Sequence, residues 1–550
     1  MRKSSIHEDD VQLAAMGHKA ELNRNFSMLS MLGLAFAVLN SWTALSASLS
    51  VSLSSGGSTS IVWGLVTAGV CNLCIATSLA EFLSAYPTYA ALVPLVSAPL
   101  ANRICSAGGQ YHWVAVSWPQ WVPILSWITG WVNVVGWVAL VATNALLSSQ
   151  LIVGIVYAKH GYQVTNWQQF LIYIGFTLIA FLLNAFMNSV LPRIYKGALF
   201  WSLGGFAIVS ITVLACASPN YSSGKFVFTD FINQTGWPDG VAWLLGLLQG
   251  GLGLTAFDSV AHMIEGTSRL VLARQALANV LPEIPQPSKK GPKIMVGCVG
   301  IGIFTGVIFL VVLLFVAGDI QQVIVSGAGP LLQILLNATK STAGAICLLM
   351  FPLVCLAFAT ISVMTTSTRM IFAFARDGGL PASKFLARVH PRLGLPLNAL
   401  ILTSVVVVIF GVINIASTNA FSAIISAAVV TLDLSYAMPI AVNCLQGRRA
   451  LPDRDWKLPM WLGWTCDIIA LSYIAITTVL FVFPPERHVT GSNMNYCIVA
   501  FAIILAISIF QWIVDGRKNY TGPRIEIAMA DIGVAPKEEE EVTQALEHGP

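Results

Sequence analysis

An aspartate at position 258 interrupts an apolar stretch from Trp243 to Ser259 that is long enough to cross a bilayer and that carries Gly246, Gly250, Gly251 and Gly253. A charge at the centre of a membrane helix costs about 2.5 to 3.5 kcal/mol on insertion scales, so such a residue faces a cavity, a partner or a small solute. The glycines predict a loosened helix whose amides and carbonyls turn toward a ligand, tolerated at membrane depth only inside protein or beside water. A second polar interruption, Asn40-Ser41-Trp42-Thr43, lies in the apolar stretch 32–48. Its Asn and Ser side chains compete with the helical backbone for hydrogen bonds. Either break alone can also be read as a kink packed against a neighbour.

The chemistry these residues offer is recognition. Leu39, Asn40, Ser41, Trp42 and Thr43 present backbone groups and small hydroxyls, and half-helix N-termini suit a carboxylate. Trp42 and Phe257 offer aromatic faces to an ammonium group, an attraction of about 0.5 to 2 kcal/mol. Gly250, Gly251 and Ser259 flank the second break. Asp258 is placed to neutralise an amino group or to carry a proton, and either use requires a carboxyl whose ionisation depends on its surroundings. The alternative is a carboxylate that caps unwound backbone. His262, four residues on, shares a helical face with Asp258 as a relay or as a structural histidine. Glu81 is a candidate lock against a base such as Arg376, while Glu265 and Asp433, the latter with Thr431 and Ser435 nearby, are further coupling or gating candidates. Asn133, Thr360 and Ser362 line a path or bond between helices.

Elements that position such residues follow from composition. Of 550 residues 56% are hydrophobic and 10% charged, whereas a soluble domain carries about 25% charged residues. The fold class is an all-α polytopic membrane protein. A bilayer core of about 30 Å needs roughly 20 apolar residues per helix, and about twelve stretches qualify. They begin near Met28, Ile61, Val122, Gln169, Gly197, Val241, Ile294, Ala343, Leu397, Ser417, Leu462 and Asn495. With residues 1–27 and 515–550 as cytoplasmic tails around a transmembrane domain at 28–514, only Lys159, Lys225, Lys340 and Arg487 of the 29 basic residues fall outside. That asymmetry predicts both termini inside, since Lys and Arg near span ends resist translocation. The net charge of +4 thus reports topology and gives no sign of a nucleic-acid partner. No removable signal peptide is expected. Sequons at Asn220, Asn233 and Asn337 fall in connections assigned to the outside. Cys71 and Cys74 read as packing residues, and neither a metal, a disulfide nor a cofactor is expected. No phosphate loop or nucleophile motif points to an enzyme. Breaks in the first and sixth spans, five spans apart, point to an inverted-repeat secondary transporter with its site between them.

Four segments are recognisable as motifs: Ser78-Leu-Ala-Glu81-Phe-Leu-Ser-Ala-Tyr-Pro87-Thr88, Ala107-Gly-Gly109-Gln-Tyr111-His-Trp113, Ala256-Phe-Asp258-Ser-Val-Ala-His-Met-Ile-Glu265 and Ala375-Arg-Asp-Gly-Gly-Leu-Pro381. The chain resembles, over nearly everything between its tails, the fungal amino acid/choline permeases of the amino acid-polyamine-organocation (APC) superfamily. The resemblance implies a five-plus-five inverted repeat with two further C-terminal helices. It also implies import of an amino acid, gamma-aminobutyrate, choline or a related amine, with proton coupling, and the plasma membrane is the expected location. A non-transporting nutrient sensor on the same fold is the competing class.

The sequence departs from the family pattern twice. Residues 89–106 separate Tyr-Pro-Thr from Ala-Gly-Gly-Gln-Tyr, and residues 266–282 separate His-Met-Ile-Glu from Glu-Ile-Pro. Both inserts contain Leu-Ala-Asn near their ends, at Leu100–Asn102 and Leu277–Asn279. An Ala-Asn pair can be encoded by GCTAAC, a common fungal branch-point sequence, and allowed codons place GT and AG at the borders. We read both as retained introns, in which case this translation is impaired or inactive. Genuine loop insertions, which surface connections tolerate, are the other reading. Genomic DNA without GT and AG at these borders removes the intron reading.

Overall fold

The structure is a computed structural model that describes residues 28–86, 108–118, 122–188, 190–264, 287–416, 420–449, 451–490, 494–520 and 522. The two inserts, Glu265 and most of both expected tails lie outside the described residues. Helices dominate, with one isolated bridge, Ser55 to Asn233.

The elements that matter are α1 (Met28–Leu39), α2 (Ser41–Ala47), α3 (Leu65–Ala85), α4 (Gln110–Ser117), α5 (Val122–His160), α6 (Asn166–Phe186), α7 (Leu191–Ala217), α8 (Asp239–Leu254), α9 (Ser259–Ile264), α10 (Pro287–Phe315), α11 (Pro330–Thr339), α12 (Thr342–Arg376), α13 (Leu397–Ala416), α14 (Ala420–Leu445), α15 (Met460–Leu480) and α16 (Cys497–Gln511). Among the described residues eleven helices are long and apolar enough to cross a membrane, and the first apolar stretch, Met31–Ala47, is shorter than these. Stretches of α5, α8, α12 and α14 are mostly buried within the bundle, while α6, α7, α13 and α16 are mostly uncovered. The uncovered helices turn Leu171, Ile179, Phe200, Ile211, Ile409 and Phe510 outward. Apolar residues outside and polar residues inside are what a lipid solvent selects.

Both expected interruptions are present, at different degrees. Asn40 adopts a left-handed φ of 44° between α1 and α2. Little hydrogen bonding is lost there: Asn40 N–H donates to Phe36 O at 2.8 Å, and Asn40 O accepts from Ala44 N at 2.8 Å and from the Thr43 hydroxyl at 2.9 Å. The second break is wider. α8 ends at Leu254, Ala256 has φ 68°, and α9 begins at Ser259. A left-handed alanine is strained, and its N–H is held by the Tyr436 hydroxyl at 3.1 Å.

The glycines do not make this break, which corrects the sequence expectation for Gly250 and Gly251. All of them lie inside continuous α8. A Cβ on Gly246 would fall 1.9 Å from Ser60 Oγ, one on Gly250 3.0 Å from Ala68 Cβ, and one on Gly253 2.5 Å from Leu45 Cγ. Spacing of four and three puts these on one helical face, and small residues there let backbones approach. Gly251 faces another way, toward Val429 Cγ1 at 3.2 Å and the Tyr473 hydroxyl at 3.4 Å. Of the sequons, Asn220 is exposed, whereas the amide groups of Asn233 and Asn337 donate to the carbonyls of Trp237 and Ala317.

Candidate functional site

Asp258 sits at the start of α9, fully buried, and gathers partners from two other elements and from α9 itself. Gln110 Nε2, at the first position of α4, donates to Oδ2 at 2.7 Å, and the Tyr436 hydroxyl of α14 donates to Oδ1 at 2.6 Å. His262 Nε2 lies 3.1 Å from Oδ2, one helical turn along α9. Hydrogen bonds to an ionised acceptor are roughly twice as strong as neutral ones, so this network joins α4, α9 and α14 around one carboxylate. Asn133 of α5 extends it, donating to Gln110 Oε1 at 3.2 Å and to Ser435 Oγ at 2.9 Å.

Aromatic rings pack against two partners of Asp258. Phe257 packs on Tyr436 with centroids 5.1 Å apart, and Trp137 meets the His262 ring edge-on at 5.7 Å. The Ser259 hydroxyl and the Trp137 indole N–H are buried with no hydrogen-bond partner among the described residues. Gly109, with φ 56°, passes close to His262, since a Cβ there would fall 2.8 Å from the imidazole. That close approach needs the glycine ahead of Gln110.

At the first break Leu39, Asn40, Ser41, Trp42 and Thr43 are all buried. The Thr43 hydroxyl also reaches the Asn40 side-chain oxygen. Asn40 Nδ2 and Ser41 Oγ have no hydrogen-bond partner among the described residues. Trp42 is engaged elsewhere: its indole N–H donates to Ser202 at 2.8 Å, and its ring packs edge-on against Phe206 and Phe309. Its neighbours are therefore α7 and α10, which makes it a packing anchor, whereas Phe257 adjoins the carboxylate.

The sequence pattern of the family described as amino acid permease matches residues 29–507. This chain belongs to the amino acid permease family. Among relatives of this permease, a Macrophomina phaseolina protein whose name proposes amino acid/polyamine transport is 33% identical over 488 residues, covering 87% of this chain and 99% of the relative. A choline transporter of Saccharomyces cerevisiae is 30% identical over 523 residues, 93% of this chain and 85% of the relative. The amino-acid permease BAT1 of Arabidopsis thaliana is 29% identical over 537 residues, 93% of this chain and 96% of the relative.

A second buried polar cluster of the permease lies where α3 and α14 end and α15 begins. Glu81 pairs with Arg448 and with Arg454, the latter at 2.7 Å, and also accepts the Leu458 N–H at 2.9 Å. Arg448 reaches Asp467 as well, and Asp467 accepts from the Ser78 hydroxyl at 2.6 Å. Burial works against the charge on Arg448, but Asp467 and Glu81 outweigh it and push its pKa above the ordinary arginine value. This corrects the expected partner of Glu81. Arg376 instead lies 3.7 Å from Asp377 and over the Phe372 ring, and Asp377 accepts from the Tyr111 hydroxyl at 2.7 Å.

Asp433 is buried in α14, apart from both clusters, with Oδ1 unpartnered among the described residues. The hydroxyls of Thr360, Ser362, Thr431 and Ser435 bond back to carbonyls of their own helices. Gln110, Tyr436, Arg448, Arg454 and Asp467 are participants that sequence reasoning did not single out. Gln110 stood inside a quoted motif, and Tyr436 lies three residues from Asp433. Nothing in the spacing points from Glu81 to Arg448, 367 residues away.

Proposed function

We propose that this permease imports an amino acid or small organic amine by alternating access about the interrupted first and sixth spans, coupled to protons across the plasma membrane. The reading takes the first broken stretch as a twelfth crossing and the fold as a five-plus-five repeat with two added helices. One observation carries it: a buried carboxylate, Asp258, held at a helix break by Gln110, Tyr436 and His262 and flanked by the rings of Phe257 and Tyr436. A carboxylate with aromatic faces is a complementary setting for an ammonium group, through charge and through attraction to the ring faces. The seven-residue α2 offers little helix dipole, so the amine end of the solute carries the argument. The names of the yeast choline transporter and the plant amino-acid permease support the same class of solute.

The test is uptake of labelled choline, gamma-aminobutyrate and neutral amino acids by transporter-deficient cells, across external pH, expressing the chain with and without residues 89–106 and 266–282. Asp258→Asn is expected to reduce uptake with surface expression intact. Unchanged uptake removes Asp258 from the mechanism. A chain that carries none of these solutes but alters nutrient signalling supports the sensor reading.

A further inference from the structure

Among the described residues, the buried carboxyls of the two clusters are partnered in different ways, and Asp433 stands apart from them. Glu81 and Asp467 face Arg448 and Arg454. Asp258 accepts from Gln110 and Tyr436 and lies 3.1 Å from His262 Nε2. Asp433 is 2% exposed, has an unpartnered Oδ1 and feels no cationic neighbour. An uncompensated charge in a low-dielectric interior costs several kcal/mol, so a carboxyl there is met by a countercharge, a metal or a proton. No countercharge beside it is found among the described residues. No group of three His, Cys, Asp or Glu side chains able to hold a metal occurs among the described residues, and a proton satisfies a lone buried carboxyl whose Oδ1 has no partner there.

Placement gives this carboxyl a connection to the solute site. Val429, Asp433 and Tyr436 follow one another at spacings of four and three, on one face of α14. At one end of that face Val429 meets Gly251 of α8, beside the Tyr473 hydroxyl of α15. At the other end Tyr436 holds both Asp258 Oδ1 and the Ala256 N–H. The titratable groups that Asp433 acts on are Tyr436 on its own helix and Tyr473 on α15. Asp258 of α9 is reached through Tyr436, and Cys71 of α3 through Tyr473.

We propose that Asp433 is the protonation site that couples solute movement to a proton gradient, separate from the solute-facing Asp258 and linked to it by Tyr436. A proton from water on one side of the membrane forms the O–H bond at the Asp433 carboxyl. The same bond breaks to return the proton to water on the other side, so no further reactant is needed. The charge on Asp433 then differs between the proton-loaded and the proton-free states, and Tyr436, which clamps the break, is the group positioned to sense it.

This inference rests on the transport reading, and the test separates the two. The full chain is reconstituted in proteoliposomes with a trapped pH-sensitive dye, zero membrane potential, and labelled choline, gamma-aminobutyrate or a neutral amino acid. Counterflow at equal pH tests transport alone, and its absence for every solute, both in the full chain and in the chain lacking residues 89–106 and 266–282, overturns both readings; the variants below are made in whichever of the two shows counterflow. With counterflow present, one coupled proton converts a pH unit of gradient into about tenfold accumulation. Asp433→Asn is expected to lose that tenfold accumulation and the solute-driven dye signal while counterflow persists, and Asp433→Glu to restore both. Asp258→Asn is expected to lose counterflow itself. Proton movement with solute in Asp433→Asn overturns the proposal, as does solute movement in the unaltered chain without protons or only with sodium. Loss of counterflow in both Asp433 variants assigns the residue to solute binding or folding and also overturns it.

Discussion

The two buried acidic clusters, one around Glu81 and Asp467 and one around Asp258, sit in the same kind of interior and are stabilised by opposite means. The first balances two carboxylates with two guanidinium groups. The second has an amide, a phenol and an imidazole. Full countercharge fixes a geometry, because removing any member leaves a buried charge exposed to its neighbours. An amide and a phenol hold the Asp258 carboxyl while leaving room for a competing cation. The paired cluster is thus suited to tying α3, α14 and α15 together, and the Asp258 cluster to exchanging partners.

Arg448→Met gives the strongest test of that contrast. It leaves Glu81 and Asp467 with half their countercharge, and Asp467 with none of its own, so thermal unfolding in detergent should show a loss of about 3 to 5 kcal/mol. A change within measurement error would mean the cluster does not fix the bundle. Tyr436→Phe comes next. It strips a donor from Asp258 and an acceptor from the strained Ala256 N–H, with an expected loss of about 1 to 3 kcal/mol and a larger fall in uptake than Arg448→Met causes per folded molecule. Equal falls in both variants would erase the functional distinction. Ser78→Ala, at the edge of the paired cluster, should cost about 0.5 to 1.5 kcal/mol and leave uptake per folded molecule unchanged. A loss of uptake there would give the paired cluster a part in the transport cycle.

Much of this was legible in the sequence because lipid imposes a simple rule. Long apolar runs gave the helices, and polar residues inside such runs, Asp258 and Asn40, marked both breaks. The exact site of the second break was not legible. Glycines usually announce backbone freedom, but Gly246, Gly250 and Gly253 are spent on close packing against Ser60, Ala68 and Leu45. The left-handed residue is Ala256, a type that carries no turn signal and keeps its conformation through Tyr436. Likewise the partners of Glu81 arrive from another part of the chain, and no periodicity within one helix encodes a contact between distant helices. Trp42 shows the converse. Its position was plain, but whether its ring faced a solute or Phe206 and Phe309 depended on the rotation of α2.

The lengths of α5 and α12, 39 and 35 residues, carry one more consequence. At 1.5 Å per residue these rods are about 58 and 52 Å long, nearly twice the hydrocarbon thickness. They pack on each other, and α5 also packs along α14. A 58 Å rod pivoting at its midpoint through about 10° displaces each end by about 5 Å. In the alternating-access reading, α5 and α12 act as levers, and a tilt too small to disturb packing at the fulcrum moves either mouth of the bundle by about the width of a methylated ammonium group.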